Sequence, residues 1–284
     1  MMREDVPSTR SVEVPMRERT RLGIPVVIEM PDFQSTVDLA LSLEVDFIEL
    51  NMNMPEFCPE SLPARTIREC RERTGLDFTI HMPDDTDLAS FHHPIREGHV
   101  ARFGETARWA AEAGAKLINL HLSPGIYFTL PDKKVWIYGN YYDKFIGNLR
   151  EAYGKVIRYA KNFNVKVCTE NVTNFNIPFV ARAVDDLCLM DDFYLTWDVG
   201  HDARAGYKEG EVLMRHAERV RHMHLHDYNG ISDHQVPGTG EIDIAARLRF
   251  AEERGISVLV ETKTVRSLRE SVEVVKAMLA DWHN

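Results

Sequence analysis

Eight short runs rich in β-branched and apolar residues recur along the chain, and each gives way to a longer amphipathic segment. They are IPVVIEM (24–30), VDFIELN (45–51), DFTIHMP (77–83), KLINLHLS (116–123), VKVCTEN (165–171), FYLTWDVGH (193–201), RVRHMHLHD (219–227) and ISVLVETK (256–263). A strand that must be followed by a returning helix pairs in parallel with the next strand. Eight such units predict a closed (β/α)8 TIM barrel. An open doubly wound sheet is the weaker expectation, because no Gly-x-Gly-x-x-Gly turn follows the first run. A chain of 284 residues suits one barrel, with a polar N-terminal arm over 1–20 and the barrel over 21–284. Helix signals agree with this frame. Gly75, Gly114 and Gly255 are placed to close helices before the next strand, Ser35 with Asp38 forms a candidate capping pair, and Val265, Leu268, Val272, Val275 and Leu279 fall on one helical face.

Charge and composition narrow the partners. Lys and Arg total 34 against 44 Asp and Glu, a net charge of −10, which disfavours broad electrostatic binding to nucleic acid. A small polar molecule is the expected partner. No uncharged run approaches the roughly 18 residues that cross a bilayer, and the charged N-terminus lacks the apolar stretch of a signal peptide. Cys58, Cys70, Cys168 and Cys188 form no Cys-x-x-Cys pair. The expected setting is therefore the cytoplasm, with reduced thiols.

The strand ends carry the chemistry. The last ionisable residues of the eight runs are Glu29, Glu49, His81, His121, Glu170, Asp198, His224 and Glu261, and a barrel gathers its strand C-termini at one mouth. Glu170, Asp198, Glu261 and His224 packed there would repel one another unless a divalent cation neutralised them. Oxygen and nitrogen donors suit Mn²⁺, Co²⁺, Mg²⁺ or Zn²⁺. Two loops add features. Gly238 and Gly240 could offer backbone N–H groups to a phosphate, although a tight turn explains them as well. The segment 124–145 holds Tyr127, Phe128, Trp136, Tyr138, Tyr141 and Tyr142, and is expected to be a lid or, with the N-terminal arm, a contact in a homo-oligomer.

TEN (169–171), WDVGH (197–201), HLHD (224–227), HQVPGTGEID (234–243) and VETK (260–263) stand in an order and spacing that resembles the xylose isomerase-like TIM-barrel superfamily over about residues 24–281. The superfamily includes sugar isomerases and epimerases, a dehydratase branch and abasic-site nucleases. The resemblance implies metal ligation by Glu170, Asp198, His224 and Glu261, His224 being preferred to His222 and His226 because the family pattern is His-Leu-x-Asp. It implies a substrate contact for His201, with Glu170 and Glu261 as the acid–base pair. His81, His121, His226 and His234 are candidates for substrate contact or for a further metal, which would mean more than one Zn²⁺. Against the nuclease pattern, Ser232 stands where an aspartate is expected, with Asp233 one place on. The expected activity is a divalent-metal-dependent isomerase or epimerase of a small sugar, polyol-ketone or hydroxy-keto acid, working through a metal-stabilised enediolate. The alternatives are a dehydratase using the same chemistry and a zinc-dependent phosphodiesterase of the abasic-site endonuclease type.

Overall fold

The computed structural model describes residues 19–30 and 32–281. Its strands in chain order are β1 (Leu22–Pro25), β2 (Phe47–Asn51), β3 (Asp77–His81), β4 (Leu117–His121), β5 (Tyr127–Thr129), β6 (Lys134–Trp136), β7 (Lys166–Glu170), β8 (Tyr194–Asp198), β9 (Val220–Leu225) and β10 (Ser257–Val260). All but β5 and β6 pair in parallel and close in the order β1-β10-β9-β8-β7-β4-β3-β2. The eightfold alternation thus closes into a (β/α)8 barrel. Of the expected arm, all but Arg19 and Thr20 lies outside the described residues. Arg19 pairs with Asp46 at 2.5 Å, at the end of the barrel where the strands begin.

The helices that build the outer layer are α1 (Phe33–Ser42), α2 (Ala64–Thr74), α3 (His93–Ala113), α4 (Ile137–Asn140), α5 (Tyr142–Asn162), α6 (Pro178–Leu187), α7 (Val199–Arg204), α8 (Lys208–Arg215), α9 (Ile244–Arg254) and α10 (Val265–Ala280). Helix α5 buries Phe145, Leu149, Ala152, Tyr153, Val156, Ile157 and Ala160, a stripe at three- and four-residue spacing that faces the sheet. Gly104 lets α3 approach it, since a Cβ there would stand 2.9 Å from the Tyr159 ring. As expected, Gly75, Gly114 and Gly255 end α2, α3 and α9 at φ of 78°, 86° and 62°, angles that a side chain disfavours.

The cap of α1, the end of the first strand and the place of Glu29 differ from expectation. The cap of α1 is Asp32, whose carboxylate accepts from the Ser35 N–H at 2.8 Å; Asp38 instead accepts from Gln34 at 2.8 Å within the helix. The first strand ends at Pro25, before the run Val26–Val27–Ile28 that reads as its continuation. The chain turns there, so Glu29 joins none of the convergent groups and instead accepts from the Val265 N–H at the start of α10 at 2.7 Å. The aromatic segment forms an antiparallel hairpin of β5 and β6 that leaves Phe128 and Leu130 exposed, while Tyr138 behind it is buried and donates to Asp87 at 2.5 Å.

Leu149 is fully buried on α5. Leu149→Ala is expected to destabilise the fold by about 2–5 kcal/mol, the range for a leucine removed from a packed core, read as a lower urea midpoint at unchanged slope. A loss under about 1 kcal/mol would show that the α5 face is not the packed layer described.

Candidate active site

Four strand ends place the central group. Glu170 closes β7, Asp198 closes β8, His224 sits near the end of β9 and Glu261 follows β10. One donor atom from each lies within 4.8 Å of those from the other three. His224 Nδ1 is 2.8 Å from Glu261 Oε2, 3.3 Å from Glu170 Oε1 and 4.0 Å from Asp198 Oδ2. Both ring nitrogens of His224 are buried without a hydrogen bond. Burial opposes the charge of Glu170, but His224 and His121 hold its carboxyl well below the usual range. For Glu261, Lys263 and His224 likewise outweigh burial. Two buried carboxylates and a partly buried third around an unpartnered imidazole nitrogen form a donor set that a divalent cation fits, because the ion supplies the missing positive charge and satisfies the orphaned nitrogen.

Beneath this group the barrel interior is polar where branched aliphatic residues usually fill such barrels. Glu49 on β2 lies between two imidazoles, 3.3 Å from His224 Nε2 and 3.5 Å from His222 Nε2, and accepts from Thr79 at 3.0 Å. His222 is anchored to Ser257 at 2.7 Å. Burial works against the Glu49 charge, yet His224 and His222 keep it ionised. A carboxylate on one side of His224 turns the opposite nitrogen toward the mouth. Asn119 on β4 adds a donor to Glu170 Oε2 and accepts from Thr196 at 2.7 Å. Glu49 is visible in the sequence as a strand end, but its partnership with His222 depends on barrel closure.

The remaining histidines stand on two sides. His81 donates through Nδ1 to the Met82 carbonyl at 2.7 Å, which leaves Nε2 facing Glu170 Oε2 at 3.4 Å. Burial pulls its pKa down, but Glu170 lifts it to about 9. His121 Nε2 faces the same oxygen at 3.7 Å, and His81, His121 and Asp84 present a second convergent group. On the other side His201 Nδ1 is 3.2 Å from Asp198 Oδ2. His226 stands behind Asp198, fully buried. Its Nδ1 accepts from the His234 N–H at 2.8 Å, so the proton sits on Nε2 and points to the Asp198 carboxylate, whose two oxygens are each 3.1 Å away. His234 stacks on His226 with centroids 4.0 Å apart, and burial with His226 nearby lowers its pKa to about 4. Asp233 Oδ2 reaches within 3.9 Å of His201 Nε2.

Local chain chemistry explains these positions. Gly200 is obligatory within WDVGH, because a Cβ there would overlap the His226 ring. Asp198 caps α7 by accepting from the His201 N–H at 2.7 Å, so one carboxylate fixes both the helix start and the site. Asn171 bridges the Asp198 N–H at 2.8 Å and Glu209 at 2.9 Å. Buried Glu209 in turn accepts from the Asn174 and Phe175 N–H groups at 2.7 and 2.8 Å. The N–H groups of Gly238 and Gly240, considered above for phosphate, donate to Asp227 Oδ2 at 2.8 and 2.9 Å. That loop is folded around an internal carboxylate, and those two donors are already engaged.

A cavity of about 300 Å³ opens on the group, walled by Glu170, His201, His234, Glu261, Lys263 and Arg204 among others. A second cavity, about 240 Å³, lies at the opposite end around the first residues of the strands, such as Phe47, Leu117 and Ser257. None of the convergent His, Asp and Glu groups lines it, so the chemistry belongs to the mouth.

The comparisons agree with this fold. The chain is 25% identical over 224 residues to the uncharacterised protein MJ1311 of Methanocaldococcus jannaschii, covering 75% of this chain and 73% of that protein. Its fold matches the crystal structure of a D-tagatose 3-epimerase-like protein at TM-score 0.75 and 21% identity, over 92% of this chain and 98% of the other. It also matches the IOLI protein, solved with a binding zinc atom, at TM-score 0.71 and 16% identity, over 92% and 97% of the two chains. The family model described as xylose isomerase-like TIM barrel matches residues 37–278, and the chain belongs to that family.

Proposed function

We propose that the protein is a divalent-metal-dependent isomerase or epimerase of a small sugar, polyol-ketone or hydroxy-keto acid. The observation that carries this reading is the unpartnered His224 Nδ1, buried between the carboxylates of Glu170 and Glu261, two residues that line a polar cavity. Glu170, Asp198, His224 and Glu261 would hold the ion. When bound, it supplies Lewis-acid stabilisation of the negative charge that develops beside a carbonyl as the neighbouring carbon loses its proton. Glu170 and Glu261 come from non-adjacent strands and reach the site from different sides of His224. One takes the proton and the other returns it, as the reading of a two-carboxylate acid–base pair requires. His201, on the cavity wall, orients a substrate hydroxyl. The names of the structural neighbours, a 3-epimerase-like protein and a protein with a zinc atom, support the same class of chemistry.

A second reading rests on one further observation: His81 and His121 both aim Nε2 at Glu170 Oε2, at 3.4 and 3.7 Å. Glu170 could then bridge two ions, as a hydrolytic zinc cluster needs. The net charge of −10 favours the sugar reading over a DNA substrate.

Two experiments bear on the reading. In a calorimetric Mn²⁺ titration of chelator-treated protein, His224→Ala is expected to abolish specific binding. His226→Ala, which removes a partner of Asp198 and of the His234 N–H but no proposed ligand, is expected to weaken it about 10–100-fold. Equal losses would reject His224 as the ligand. In D₂O, turnover of a panel of ketopentoses, ketohexoses, their phosphate esters and hydroxy-keto acids is expected to place deuterium beside the carbonyl of those that react. Glu170→Gln and Glu261→Gln are expected to lower kcat about 10²–10⁴-fold with Mn²⁺ still bound. A Gln variant that binds metal and keeps normal kcat would remove that glutamate from the acid–base pair, and cleavage of abasic duplex DNA by the wild-type protein would favour the second reading.

A further inference from the structure

Lys263 sits two residues beyond Glu261 and donates to Glu261 Oε1 at 2.8 Å, while Oε2 of the same carboxylate faces His224 Nδ1 at 2.8 Å. One glutamate therefore serves a lysine on one oxygen and the central group on the other. A cation on this carboxylate withdraws charge from a donor set built for a divalent ion, and it repels that ion when it binds. Packing does not account for the lysine, because its side chain is 60% exposed. Arg204, the other basic residue of the cavity wall, is already tied to Asp233 at 2.9 Å. Among the described residues the only ion-pair partner of Lys263 is Glu261. Its flexible stem lets the ammonium swing away from Glu261 without disturbing the donor set.

We infer that Lys263 recognises an acidic group on the substrate, a carboxylate or a phosphate monoester carried a few atoms from the carbon that exchanges its proton. The inference rests on the proposed metal-dependent chemistry and narrows its substrate to an anionic one. The arrangement makes electrostatic sense in that case. The anion neutralises Lys263, and Glu261 is then free to serve the ion and the proton transfer together. A neutral sugar would leave the lysine competing for Glu261 throughout turnover.

The test uses the full chain loaded with Mn²⁺ and three probes that share a vicinal diol: glycerol, glycerol 1-phosphate and 3,4-dihydroxybutanoate. Calorimetry is expected to show at least one of the two anions binding about tenfold or more tightly than glycerol, as a charge-assisted contact implies. The tighter of the two identifies phosphate or carboxylate as the group recognised. Lys263→Met is expected to remove that advantage and leave glycerol binding unchanged, and Lys263→Arg to retain most of it. Without any probe, Lys263→Met is expected to bind Mn²⁺ more tightly than wild type. The inference is overturned if neither anion outbinds glycerol in the wild-type protein, or if Lys263→Met keeps the preference. Failure of wild-type protein to bind Mn²⁺ at all would instead sink the metal-dependent reading on which the inference stands.

Discussion

Charge balance inside the barrel mouth governs the rest of this molecule. Glu170, Asp198 and His224 are each 1% exposed or less, and an ionised carboxylate removed from water is tolerated only when paired or bound to a cation. The structure meets this demand in layers. Glu49, Asn119 and His226 each partner a member of the central group. His222, Thr79, Thr196 and the His234 backbone then partner those residues. Each layer fixes the one above it, so the donor atoms hold their positions before any ligand arrives. Such preorganisation is what a site needs when it must stabilise charge without reorganising during reaction.

Much of this was legible in the chain, for reasons that can be stated residue by residue. The alternation of strand and helix patterns dictates a parallel sheet, and the acid or imidazole at the ends of seven of the eight runs marks the mouth. The glycines that end α2, α3 and α9 were readable because a left-handed residue after a helix leaves few alternatives. Gly200 looks like an ordinary turn residue in WDVGH, and only the His226 ring packed against it reveals why no larger residue can stand there.

What the sequence concealed depends on contacts between distant segments. Val26, Val27 and Ile28 read as strand, yet Ile28 is 88% exposed because the chain turns after Pro25. Residue type cannot mark that turn when the deciding bond, from Glu29 to the Val265 N–H, spans 236 residues. The polar column of Glu49, His222 and Thr79 was equally hidden, since alternation along one strand does not tell which residues meet across a closed barrel. Asp227 was visible as the last letter of HLHD, but its work, gathering the N–H groups of Gly238 and Gly240, required the loop to be folded.

The central claim is that Glu170, Asp198, His224 and Glu261 hold one divalent cation through His224 Nδ1. Anomalous diffraction from crystals grown with Mn²⁺ tests it most directly. The account predicts a peak bonded to that nitrogen and to oxygens of all three carboxylates at about 2.0–2.3 Å, with Glu49 still facing His224 Nε2. A fully loaded crystal with no ion on His224, or with the ion held by other residues while these four stay as they are, would contradict it.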